Sequence, residues 1–277
     1  MNFLKRVNPL KKSDEKISWK LIGSINPEVI LLGHSHRTTM GIALNNLETN
    51  KKIAVLMESS GPYKIPESEY WNFVSQHKIK SLKKIIIIWQ GHLSLIDFLF
   101  RTDTSYFLVN ENNLSEARAK RNELSNNGLI FEKDIVNTFQ SHFIKDGLIE
   151  IIKNLKKDNH EVILVASPPP KSSKYVNGVL HDEIYFEKMY REYFKNVADT
   201  NSDPIIDESF RVRIWELMEL ALKNSANECG ARFFPIPSEF MNDEGILLEK
   251  YYFGDVSHAN EKYAKDLWDA LLKNEVI

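Results

Sequence analysis

Cysteine is nearly missing from this chain. Cys229 stands alone among 277 residues, so no internal disulfide can form and an oxidising compartment gains no support. Excess charge of one sign is missing too. The 36 Lys and Arg against 38 Asp and Glu leave a formal net charge of −2, which gives no basis for electrostatic capture of nucleic acid or an anionic membrane. No stretch reaches the roughly 18 consecutive apolar residues of a membrane span. The basic residues Lys5, Arg6, Lys11 and Lys12 are not followed by the apolar segment of a secretory signal. These absences predict a soluble, cytoplasmic protein with no nucleic-acid partner and no membrane span; the oligomeric state stays open.

What is present is an ordinary globular composition, 43% hydrophobic and 27% charged, long enough for one large α/β domain or two small ones. Short apolar runs alternate with helical patterns. Val29 to Leu32 form a run too short for a helix, closed by Gly33, which permits a sharp turn. Further strands are expected at 53–57, at 85–89 with four consecutive isoleucines, at 162–166 and at 231–236. Helices are expected at about 38–48, at 135–157 with a break near Asp146 and Gly147, and at 182–197, 207–228 and 258–274. This alternation implies a parallel sheet with right-handed crossovers in a three-layer α/β/α domain. The expected layout is an N-terminal arm over 1–27, carrying at most a short helix, and a single domain over 28–277. Polar clusters at about 101–130 suggest an inserted loop or lid.

The stretch Glu28 to Gly41 puts the hydroxyl of Ser35 on a strand-to-helix turn. Ligands in parallel α/β sheets bind outside the carboxyl ends of the strands, where helix N-terminal amides meet developing negative charge. A serine hydroxyl is a weak nucleophile until a positioned base takes its proton. The candidate base is His258, and Asp255, three residues earlier, is placed to orient it and fix its tautomer. An oxyanion needs fixed donors. The backbone N–H groups of Ser35 and Gly61 and a side chain of the Gln90-Gly91-His92 loop are candidates. His34, His36, Trp89 and Gln90 flank these turns and are the candidate substrate contacts, with Trp89 able to stack on a sugar ring.

In this arrangement the chain resembles the SGNH, or GDSL-like, hydrolases. Gly33-His34-Ser35-His36 matches their nucleophile block, Gly61 the second, Gly91 the third, and Asp255-Val256-Ser257-His258 the terminal DxxH block. The resemblance implies a flavodoxin-like α/β/α fold with a five-stranded parallel sheet. It also implies a Ser-His-Asp esterase or O-acyltransferase that often acts on acylated, for instance acetylated, carbohydrate and needs no cofactor. The chain departs from the pattern twice: His34 stands where the family usually has aspartate, and His92, Leu93 and Ser94 stand where it has an oxyanion-hole asparagine.

Two rival readings follow from the same residues. His34 and His36 form a His-x-His pair that, with Glu58, His92, Asp255 or His258, would suit a hydrolytic zinc or manganese site. The missing asparagine would equally suit a non-catalytic saccharide-binding domain on the same fold. Asp255 alone also reads as an N-terminal cap of the last helix.

Overall fold

The computed structural model describes residues 18–33, 36–60, 73–74, 79–89, 106–110, 128–180 and 205–277. Its centre is built from the apolar runs. Val29–Gly33 (β2), Lys84–Ile88 (β4) and Glu161–Val165 (β7) are buried along almost their whole length, as strands covered on both faces must be. Ile53–Ser60 (β3) lies beside β2, and Arg232–Phe234 (β8) beside β7. One further strand, Ser18–Gly23 (β1), pairs antiparallel with β3 and completes a six-stranded sheet in the order β1-β3-β2-β4-β7-β8.

The five parallel strands therefore run in the doubly wound order, with the first, β2, between the second and the third. The chain steps one way from β2 to β3 and the other way to β4. With right-handed crossovers, that reversal puts helices on both faces. His36–Leu44 (α1) packs against Glu261–Lys273 (α6), and Trp268 Nε1 donates to the Met40 carbonyl at 3.0 Å across that contact. Glu132–Lys145 (α2), Leu148–Lys157 (α3) and Glu208–Glu228 (α5) form a second group, in which α2 lies along α5. Between β7 and α5 lies a short helix, Ser173–Val179 (α4).

The sheet departs from expectation at its edge. Residues 18–23, expected as arm or short helix, supply the antiparallel strand β1; residues 1–17 lie outside the described residues. The segment expected as a loop or lid contains Tyr106–Val109 (β5) and Gly128–Phe131 (β6), which pair in parallel as a separate two-stranded sheet. Residues 111–127, and the helix expected at 182–197, lie outside the described residues. The break near Asp146 and Gly147 is present, with Gly147 at φ 78° between α2 and α3.

Among the described residues no helix is long and apolar enough to cross a membrane.

Candidate active site

The site forms around the loop that leads into α6. Asn260, not Asp255, caps that helix: its side chain accepts from the N–H of Tyr263 at 3.1 Å, as an Asn at this position does for an orphan helix donor. Asp255 is thus released from capping and organises the loop before it. Its Oδ1 accepts from the N–H groups of Ser257 at 2.8 Å and His258 at 2.6 Å, which curls the chain back over the carboxylate. Its Oδ2 lies 2.6 Å from Nδ1 of His258. With the carboxylate ionised, Nδ1 carries the donated proton and Nε2 is the basic nitrogen of the ring.

Burial works to raise the Asp255 pKa. The hydrogen bonds from the His258 ring and backbone, with the charges of His258 and Lys171, work against it and leave the carboxyl well below the usual carboxylate range. Asp255 is 6% exposed while the His258 side chain is 28% exposed. A buried acceptor therefore orients an imidazole that reaches solvent.

His36, the first residue of α1, brings the other end of the chain to this loop. Its ring centroid lies 5.1 Å from that of His258, although 222 residues separate them in sequence. His36 is buried and lines a cavity of about 10 Å³, close to the size of one water, together with Met40, Ile88, Ala166, Pro168 and Tyr263. It packs against His258 and is buried, where a substrate contact was expected. Trp89 needs the same correction. At 2% exposure its ring lies within the core below the end of β4, so it presents no face to a sugar.

His34, Ser35, Gly61, Gln90, Gly91 and His92 lie outside the described residues, and so does the side chain of Glu58. Of the proposed triad, the structure brings Asp255 and His258 together. Among the described residues no group of three or more His, Cys, Asp or Glu is arranged to hold a metal ion.

The sequence reading missed Lys171. Its side chain is 1% exposed, and Nζ donates to the carbonyls of Asp255 at 2.5 Å and Phe253 at 2.9 Å while lying 3.7 Å from Asp255 Oδ1. Its partners lie more than 80 residues away, so no local pattern distinguishes it from a solvated lysine after three prolines.

No family model matches the sequence, and no curated protein matches it either. Solved structures are similar in fold. A GDSL-like lipase from Bacteroides thetaiotaomicron is 12% identical, with 90% of this chain and 86% of that one covered at a TM-score of 0.45. The periplasmic domain of a lipopolysaccharide acetyltransferase from Salmonella ser. Paratyphi A is 9% identical, with 92% and 86% covered at 0.47. A Bacteroides fragilis protein described as an acylhydrolase is 10% identical, with 90% and 85% covered at 0.47. Likeness of this degree leaves the chemistry to be read from the site.

Proposed function

We propose that this chain is a serine-dependent ester hydrolase or O-acyltransferase in which Ser35, His258 and Asp255 act as a triad. The observation that carries the reading is the 2.6 Å contact between Asp255 and His258 Nδ1, in a loop that also meets His36, the residue next to Ser35. A buried carboxylate on Nδ1 fixes the tautomer in which Nε2 accepts a proton, and we assign the complementary hydroxyl to Ser35, next to His36 in sequence.

In this mechanism Ser35 Oγ attacks the ester carbonyl carbon while His258 Nε2 takes the hydroxyl proton, and Asp255 stabilises the imidazolium that results. The backbone N–H groups of Ser35 and Gly61, with His92, hold the oxyanion. Collapse of the tetrahedral intermediate breaks the bond to the leaving alcohol, which receives the proton from His258. Water or a sugar hydroxyl then attacks the acyl-enzyme, with His258 again taking the proton, and collapse of the second tetrahedral intermediate breaks the bond to Ser35 Oγ, which recovers its proton from His258. An acetylated carbohydrate is the substrate class we infer, on the family resemblance of the four sequence blocks.

The test is hydrolysis of para-nitrophenyl acetate by wild type and Ser35→Ala, with and without a chelator. The expected result is a loss of about 10³-fold or more in the variant and no effect of the chelator. Activity that survives Ser35→Ala, or that the chelator abolishes, overturns the triad.

A further inference from the structure

Lys171 is a buried cation that the triad chemistry does not use. It leaves β7 through the rigid stretch Pro168 to Pro170 and is fixed at both ends. At its base, the Lys171 carbonyl accepts from Nη1 of buried Arg211 at 2.9 Å. Arg211 Nη2 also donates to Ser173 Oγ at 2.8 Å, and Glu208 accepts from the N–H of Ser173 at 2.5 Å, so α5 clamps this segment. At its tip, the ammonium holds the carbonyls of Phe253 and Asp255. Its flanks are aromatic, with Nζ 5.2 Å from the ring centre of Tyr175 and 5.6 Å from that of Tyr252. The two rings pack 4.5 Å apart.

An ammonium buried this completely is stable only when paired and hydrogen-bonded. The carbonyls and the carboxylate that it meets at Phe253 and Asp255 belong to the loop before α6. Asp255 Oδ1 receives two backbone N–H bonds and has the ammonium 3.7 Å away, while Oδ2 faces the imidazole. The cation therefore does two things to His258. It holds the carboxylate so that one oxygen is reserved for Nδ1, and it cancels part of the negative charge that would keep a proton on the ring.

We propose that Lys171 is the positioning residue of this site, acting on His258 through Asp255 and keeping the imidazole available as a base. The inference rests on the triad reading for its catalytic consequence but not for its electrostatic one. Among the described residues, Asp255 on its own loop and His36 on α1 face the imidazole, and Lys171 after β7, flanked by Tyr175 on α4 and Tyr252 before the loop, stands behind Asp255. Lys171 is the one lysine or arginine among these described groups.

The experiment compares Lys171→Met with Tyr175→Phe. Tyr175 also donates to the Phe253 carbonyl, at 2.6 Å, so its variant removes a prop from the same loop and leaves the cation in place. Proton NMR of the His258 ring, assigned against His258→Asn, reads the titration without any substrate. In Lys171→Met the ring is expected to keep its proton to a higher pH than in wild type, with the midpoint moved several-fold to lower proton concentration, because a nearby positive charge that repels the imidazolium has gone. In Tyr175→Phe the midpoint stays where it is. Once an ester is turned over, kcat should fall in Lys171→Met with KM little changed, and the acid limb of the pH profile should move up by the same amount.

An unmoved midpoint in folded Lys171→Met, or equal movement in both variants, overturns the proposal. If Lys171→Met does not fold, Lys171→Gln replaces it, and failure of both neutral variants to fold also overturns it, since the cation then serves the fold alone. Absence of esterase activity in wild type bears on the triad and leaves the NMR result standing.

Discussion

Asp255 and Glu219 are two carboxylates withdrawn from water near the carboxyl end of the sheet, and their surroundings push them in opposite directions. Around Asp255, burial is outweighed by His258 and Lys171, and the group stays charged. Around Glu219, burial dominates. The single bond of 3.3 Å from the N–H of Ile236 works against burial but does not offset it, and with the repelling charge of Glu216 the pKa is raised to about 7. Burial is common to both, so it is the number and charge of donors that decides which protonation state survives. The loop before α6 is equipped to hold an anion, and the surroundings of Glu219 on α5 are not.

The largest effect that would break this contrast is on chemistry. Asp255→Asn should lower kcat/KM for an acetyl ester by about 10⁴-fold, because an amide in that place no longer fixes the imidazole tautomer. Steady-state kinetics retaining more than a tenth of wild-type activity would mean that the carboxylate does not orient the base.

The next effect is on stability. Glu219 is raised from its ordinary 4.5, so the folded chain keeps a proton that the unfolded chain loses as pH rises. Its penalty is absent below about 4.5, grows as pH rises and levels off above about 7. Glu219→Gln should then stabilise the protein above neutral pH by on the order of 3 kcal/mol and do nothing in mild acid. Denaturant unfolding at about pH 8 and about pH 4 checks both halves. Asp255 runs the other way: its folded pKa is depressed, so its contribution is present above 3.8 and fades as pH falls below that value.

The smallest effect sharpens the assignment of roles. Asn260→Ala removes the cap of α6 and should cost about 1 kcal/mol while leaving the His258 NMR titration unchanged. A shifted titration would tie the order of the loop to the helix cap instead of to Asp255.

The parallel strands were readable because strands buried on both faces have to be unbroken apolar runs, as Ile85 to Ile88 and Val162 to Val165 are. The edge strand β1 was not, since Lys20 is exposed and Leu21 and Ile22 are only half-buried. Its strand character comes from pairing with β3, a partner that no local pattern announces. β5 and β6 escaped notice for a similar reason, as they are four-residue strands set among polar clusters. The Asp255 and His258 pair was legible because its three-residue spacing is local. Lys171 was not, and neither were the burial of Trp89 and the tilted contact of His36 with His258, because each depends on contacts between segments far apart in sequence.

Gly33 carries one more lesson, for anyone who would re-engineer the turn after β2. A methyl group at that position would meet the carbonyl oxygen of Ile88 at 2.4 Å, and the backbone there, at φ 154°, is one that other residues rarely adopt. Arg37 donates to the Gly33 carbonyl from the far side of the turn. The residue is hemmed in by main chain that has nowhere to retreat, so a randomised library should begin at position 34 and leave the glycine out of the lottery.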